Sequence, residues 1–431
     1  MYKTLILDFL VTYILPIGYA IILGFAFYKS KLLSEGGIRP GYCLLFLYGK
    51  IMTGLLYTFI MVHYIPAAAA DIDLFYGGGL KMYHYFWQNP AGFPAYLADT
   101  FSITDFRIGN TDSDFIRTVF DGIKFIHFLL DFLSGGNLYT NVLLFNGLAA
   151  WLFLRCWIYL KRFLGHWWLG GWFFLFPSAF FFTSVVLKEG IELCLIASIL
   201  PVLINKAKGF NIWRSLFLVL LTALLFFFKY LIAATFFASL GLYWLFKSFP
   251  NRKMVITAGA SLVFLVVFFG ASKLHPSLNL PQYIIDRRIE FQTLEANSAL
   301  KMRELNPNVG SFTEVLPEAL NHVLFKPMPG EGGKMTYLVF SAEMLFFWGF
   351  LLFLWVRAFR KGFAVAGPEA WACLLFAIIN LLVIGYTITN IGAITRYRSI
   401  FLPGIGYFFW MFCGGREWAG QLRRFSSLLR G

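Results

Sequence analysis

With 431 residues, 59% hydrophobic and 20% aromatic but only 13% charged, the chain is too apolar for a soluble globular protein. Its formal net charge of +14 would suggest nucleic acid in a soluble protein. Here the excess lies in short connectors between apolar runs, which argues against that partner.

Those runs recur along the whole chain. A span needs roughly 20 apolar residues to cross ~30 Å of hydrocarbon, and about eleven runs qualify. Their cores lie near 5–27, 43–66, 138–157, 167–186, 190–204, 213–228, 231–246, 254–272, 336–356, 369–387 and 400–413. No small-residue cleavage site follows the first run, and Lys29 and Lys31 come at once, as expected of a retained anchor. These lysines open a series that falls on one side of the spans. It continues with Arg39, then Arg155, Lys161 and Arg162, then Lys206, Lys208 and Arg214. Lys247, Arg252 and Lys253, then Arg357, Arg360 and Lys361, and finally Arg416, Arg423, Arg424 and Arg430 complete it. Positive charge near span ends stays cytoplasmic, so this side and the C-terminus are predicted inside, and an odd span count leaves the N-terminus outside. The predicted fold class is all-α, a polytopic transmembrane bundle with interfacial helices, forming one integral membrane domain over residues 1–431.

Two long segments, 67–136 and 273–335, are predicted on the outer face. The first carries Asp71-Ile72-Asp73 directly beyond the second span. Two carboxylates at a membrane boundary can act as general base or hold a divalent cation against a phosphate, although a bare DxD is equally compatible with plain loop acids. Gly77-Gly78-Gly79 follows without the strand or helix context of a nucleotide-binding loop. From Asp114 to Phe132, a stripe of Asp114, Arg117, Asp121, Lys124 and Asp131 lies mostly away from Phe115, Val119, Ile123, Ile126 and Leu130. This spacing predicts a helix on the membrane surface, apolar side down, in preference to a further span.

Lys188-Glu189 then interrupts an apolar stretch where charge is costly. A local ion pair of Lys188 with Glu192, one turn on, is the alternative to a role in binding. Lys229, between Phe226-Phe227-Phe228 and Tyr230 at an outward span end, is either a snorkelling lysine or a phosphate ligand. The second outer segment reads helical between Tyr283 and Glu304 and returns to the membrane through Phe325-Lys326-Pro327-Met328-Pro329-Gly330-Glu331. Such a loop-plus-helix cap over the bundle is a common way to admit and cover a substrate. Glu343, inside the ninth run, is either functional or the partner of another span. Arg396-Tyr397-Arg398 falls on the outer side against the charge rule. Guanidinium forks there suit phosphate or pyrophosphate, unless the last span is misplaced and the pair is cytoplasmic.

Five cysteines without CxxC spacing and six histidines without HExxH or paired spacing support neither a disulfide framework nor a zinc site. With no P-loop and no dinucleotide fingerprint, an ATP-driven or nicotinamide-dependent mechanism is not expected.

The many spans, Asp71 and Asp73 just past a span, and the helix around Asp114–Phe132 together resemble GT-C-type integral-membrane glycosyltransferases. The chain also resembles bacterial envelope polysaccharide-biosynthesis membrane proteins. That likeness is carried by Pro177-Ser178…Lys188-Glu189, by Lys326-Pro327-Met328-Pro329-Gly330-Glu331 and by Asn390-Ile391-Gly392…Arg396-Tyr397-Arg398. One departure is the acidic loop, which here follows the second run where GT-C enzymes usually have it after the first. The resemblance implies transfer of sugar from a polyprenyl-(pyro)phosphate donor to a saccharide or lipid acceptor at the outer face of the bacterial inner membrane. Asp71 or Asp73 would be the base, and Lys188, Glu189, Lys229, Lys326, Arg396 and Arg398 would line the lipid-phosphate site. A divalent cation, Mg or Mn, at Asp71 and Asp73 is compatible with this but not required, and other glycan-assembly proteins are possible partners. A lipid-linked oligosaccharide polymerase, or a non-enzymatic flippase or transporter, is the alternative. Charges other than Lys50 and Glu343 cluster at outer span ends, which disfavours a path across the membrane.

Overall fold

A computed structural model describes residues 10–64, 71–102, 114–164, 167–204, 211–275, 278–293, 298–331 and 335–414. Lys206, Lys208 and the basic segment from Arg416 to Arg430 lie outside the described residues, as do the side chains of Asp114, Phe115, Arg117 and Arg162. Among the described residues the elements are helices, with one isolated antiparallel bridge, Ala299–Asn390, and no strand. Seven helices among the described residues are long and apolar enough to cross a membrane: Val11–Lys29, Pro40–Tyr64, Leu138–Lys161, Ile212–Ser248, Pro250–Lys273, Tyr337–Lys361 and Pro368–Thr387. The protein is thus an all-α membrane protein. The chain divides into two compact units, residues 1–106 with 112–230 and residues 107–111 with 231–431.

In the first unit, α1 (Leu15–Lys29), α2 (Pro40–Tyr64) and α6 (Leu138–Leu164) pack on one another. Between α2 and α6 the chain forms α3 (Asp71–Gln88), α4 (Phe93–Thr100) and α5 (Asp114–Ser134). The predicted helix over 114–132 is α5, but its charged stripe is turned inward. Asp121 and Asp131 are buried, whereas Leu129, Phe132 and Leu133 are exposed. α3 lies along α5 and covers it, while Asp131 takes its hydrogen bonds from Asn141 and Ser134 and Asp121 pairs with Lys124 of the same helix. The glycine run makes this approach possible: a Cβ at Gly79 would stand 2.5 Å from the His127 Cβ and 2.7 Å from the Lys124 carbonyl.

The predicted span over 167–186 is split into α7 (Trp167–Leu175) and α8 (Pro177–Phe182). Pro177 has no N–H to give and forces Phe176 into extended backbone (φ −60°, ψ 122°), which ends α7. After a buried, non-helical stretch at 183–187, α9 (Lys188–Ile204) follows. The two runs predicted at 213–228 and 231–246 arrive as one helical segment, α10 (Ile212–Ser248), broken only at Lys229 (φ −155°, ψ 78°). No glycine, proline or asparagine lies between Phe226 and Thr235 to build a turn. The chain passes from the first unit to the second just after this break.

The second unit holds α11 (Lys253–Gly270), α12 (Leu280–Thr293), α13 (Val309–Phe325), α14 (Met335–Lys361), α15 (Pro368–Thr387), α16 (Ile391–Arg398) and α17 (Leu402–Phe412). α15 packs against α13 and α17. Ile284, Ile285, Phe312, Val315, Ala319 and Tyr386 form the core between α12, α13 and α15, and the Tyr386 hydroxyl donates to the Phe312 carbonyl at 2.6 Å. α11 is apolar all round and exposes Leu262, Val263 and Val266, as a lipid-facing helix does. Of the helix predicted from Tyr283 to Glu304, α12 covers the part to Thr293, residues 294–297 lie outside the described residues, and 298–304 are not helical. A second one, α13, starts where Asn308 caps it by accepting from the Ser311 N–H at 2.9 Å. At 11 residues α17 spans only ~16 Å, short of the predicted last crossing.

Candidate functional site: an acidic cavity and two cationic clusters

The first turn of α3 contains both members of the acidic pair. Carboxylates there face the positive end of the helix dipole. Asp71 is exposed, whereas Asp73 is half-buried and lines a cavity of about 640 Å³. That volume falls in the range of roughly 300–1,000 Å³ typical of small-molecule sites. Asp99 of α4, Asp121 of α5, Lys81 and Lys124 share the lining, and Asp121 accepts from the Lys124 ammonium at 2.7 Å. Tyr96, also in the lining, belongs to an aromatic wall, with ring centroids 4.7 Å from Tyr85 and 6.0 Å from Phe93. Carboxylates able to take a proton therefore stand beside ammonium groups able to neutralise an anion. Sequence reasoning noticed Asp121 and Lys124 only as stripe charges, and Asp99 did not stand out. Their common signal, that each faces the glycine-bearing side of α3, depends on a packing that no local pattern displays.

Among the described residues, no group of three or more His, Cys, Asp or Glu side chains is disposed to hold a metal ion. Asp71 is exposed and stands two residues from Asp73 on α3, so of the pair only Asp73 offers a ligand in the cavity. This fits Mg²⁺, which is commonly held by one or two carboxylates and completed by water and substrate phosphate.

Further along α5, Asp131 and His127 lie one turn apart and fully buried. Burial pushes the Asp131 carboxyl up to about 6, against the pull of hydrogen bonds from Asn141, at 2.6 Å, and Ser134. Burial likewise pushes His127 down to about 4.

Lys188 begins α9 with its ammonium 4.0 Å from the Phe120 ring centroid. Glu189 and Glu192 are buried in the first turns of α9, and Glu192 pairs with Lys229 at 3.8 Å. The lysine at the break in α10 therefore meets a carboxylate of its own unit. Lys50 explains how a charge is tolerated midway along α2. It donates to the Thr183 carbonyl at 3.0 Å, the Thr183 hydroxyl at 2.9 Å and the Phe180 carbonyl at 3.4 Å. These are groups left without helical partners where α8 ends. Asn146 holds the same turn by donating to the Ser184 carbonyl at 2.6 Å.

In the second unit, two of the short motifs meet. Arg398, the last residue of α16, donates to the Val323 carbonyl at 3.0 Å and to the Lys326 carbonyl, closing the C-terminal end of α13. Lys326 pairs with Glu331, and Glu343 of α14 acts on Arg398 electrostatically. Arg396 is half-buried, its guanidinium 4.9 Å over the Tyr397 ring and 3.0 Å from that hydroxyl. Asn390 starts α16 by accepting from the Gly392 N–H at 2.9 Å and the Ser298 hydroxyl at 2.7 Å. His322 of α13 is buried, which pushes it below the usual histidine range. Glu318 pulls it back, and Lys326 and Arg288 add to the fall.

No family model, curated protein or solved structure matches the chain.

Proposed function

We propose that the protein is a GT-C-like glycosyltransferase that moves a sugar from a polyprenyl-(pyro)phosphate donor to an acceptor hydroxyl at the outer face of the bacterial inner membrane. One observation carries this: the cavity in which Asp73, Asp99 and Asp121 stand with Lys81 and Lys124 beside an aromatic wall. Asp73 is the base. It takes the proton of the acceptor hydroxyl as that oxygen bonds to the anomeric carbon, and the anomeric carbon–phosphate oxygen bond breaks with its electron pair leaving on the phosphate. Lys81 and Lys124 favour the charge that develops on the leaving group. Asp71, exposed at the start of α3 and outside the cavity lining, is the secondary carboxylate, and Mg or Mn would sit at the pair when a metal takes part.

Further candidate ligands for lipid phosphate form two sets, Lys188, Glu189 and Lys229 in the first unit and Lys326, Arg396 and Arg398 in the second, each within its own unit. Basic connectors support a cytoplasmic C-terminus and an outward cavity. A topology of about eleven crossings requires both halves of α10, the α7–α8 pair, α9 and α17 to enter the bilayer along with the remaining long helices.

The test is reconstitution. Purified protein supplied with a polyprenyl-phosphate-linked sugar and an acceptor should form a glycoside without an ion gradient, and Asp73→Asn should abolish it. Movement of the intact lipid-linked sugar between leaflets, with no bond made, would replace the transferase by the transporter.

A further inference from the structure

One face of α13 builds a seam of charge inside the second unit. Glu318, His322 and Lys326, the last of them capping the helix, follow at intervals of four and so stack along one side. Two guanidinium groups reach this stripe from other helices. Arg288 of α12, 3% exposed, donates through Nη2 to the Arg303 carbonyl and lies 4.0 Å from Glu318. Arg398 of α16, 1% exposed, donates through Nη1 to the Val323 and Lys326 carbonyls. His322, 6% exposed, is close enough to Arg288, Glu318, Lys326 and Glu331 for all four to act on its charge.

Three nitrogens of the seam are buried without a hydrogen-bond acceptor: Nη1 of Arg288, Nδ1 of His322 and Nη2 of Arg398. Leaving a buried donor unmade is costly, more so on an ion, and native proteins contain few such groups. The neighbouring carboxylates already have partners. Glu331 takes Lys326 and the Met328 N–H, the latter at 2.8 Å, while Glu318 takes the Arg303 N–H at 3.1 Å and its Nε at 3.6 Å. Arg398 bonds only to neutral carbonyls through Nη1, so its charge meets Glu343 electrostatically and no carboxylate through that nitrogen.

We infer that this seam is an anion site for a phosphoryl group, a phosphate monoester or diphosphate, gripped by Arg288, His322 and Arg398. Donors from three helices suit a tetrahedral oxyanion with three free oxygens, whereas a carboxylate presents only two in one plane. The site builds on the lipid-phosphate part of the function proposed above, adds Arg288 and His322 to it, and needs no transfer reaction.

Calorimetric titration of the full-length protein in lipid nanodiscs tests it. The probes are inorganic pyrophosphate and farnesyl diphosphate, with farnesol as the phosphate-free control. At least one diphosphate should bind and farnesol should not, and Arg288→Gln and His322→Leu should each weaken binding about tenfold or more. Arg398→Gln should do the same. Because it also strips the end of α13, Arg288→Gln carries the test if Arg398→Gln fails to fold. Comparable binding of both diphosphates supports a free phosphoryl ligand, and binding of farnesyl diphosphate alone supports a lipid headgroup. Binding of neither, or unchanged binding in folded Arg288→Gln and His322→Leu proteins, overturns the site. Protein that binds diphosphate but transfers no sugar would sink the transferase and leave this site standing; transfer without such binding would do the reverse.

Discussion

The cavity of the first unit and the seam of the second hold charge in opposite ways. Around the cavity, Lys81 and Asp99 are exposed, Asp73 and Lys124 are half-buried, and only Asp121 is deeply covered. In the seam, Arg288 and Arg398 are closed in and tied to backbone carbonyls. Exposed charges cost little to keep, so their gathering at one concave place calls for a function. Enclosed charges that satisfy helix ends are part of the scaffold, whatever else they bind.

This contrast predicts a graded set of effects. The largest belongs to Lys50, whose removal strands the Thr183 carbonyl inside the first unit and leaves the Phe180 carbonyl to the Ser184 hydroxyl alone. Lys50→Ala should lower stability by about 4 kcal/mol, from unmade bonds to a charged donor, read as a shift of the unfolding transition in detergent. Next is Arg398→Ala, which uncaps α13 and should cost about 3 kcal/mol. Arg396→Ala, removing a half-buried group stacked on Tyr397, should cost about 1 kcal/mol. Equal losses for the two arginines would erase the distinction between scaffold and surface.

A third expectation concerns pH. The Asp131 carboxyl is raised by burial to about 6 from 3.8, so the unfolded chain gives up this proton more readily than the folded one. The stability it contributes is full below pH ~4 and is lost as pH rises through ~6, up to roughly 3 kcal/mol. Wild type should therefore lose stability over this window relative to Asp131→Asn, and parallel profiles would show that burial does not raise the Asp131 carboxyl above its ordinary range. The smallest effects should be at the cavity rim. Lys81→Gln and Asp99→Asn should change stability by less than ~0.5 kcal/mol while slowing sugar transfer, and a large destabilisation would make the rim scaffold instead.

Much of this was legible in the sequence, and the failures are physical. Apolar length predicts the long helices at 40–64, 138–161 and 368–387 because a span's composition is set by lipid, whatever its neighbours. The break between α7 and α8 was missed although Pro177 marks it, since a 20-residue apolar window averages over a proline. The stripe expected to face outward on α5 is covered along with Val119 and Ile123 of its apolar side, because α3 packs along the helix, a partner that periodicity within one helix cannot reveal. Of the site, the Asp71–Asp73 pair stood out as adjacent carboxylates, yet only Asp73 lines the cavity. Arg288 and His322 gave no signal, because the interactions that mark them, with Glu318 and with each other, arise only once the chain folds.

The central claim is that the carboxylate of Asp73 does chemistry at the cavity. Its most direct test is the rate of glycoside formation by purified Asp73→Asn and Asp71→Asn proteins, with folding verified by their unfolding transitions. Loss of a positioned general base should cut the rate in Asp73→Asn by roughly a hundred- to ten-thousandfold, with a much smaller loss in Asp71→Asn and little change in either transition. Wild-type transfer by Asp73→Asn, or transfer lost only in step with folding, would contradict it.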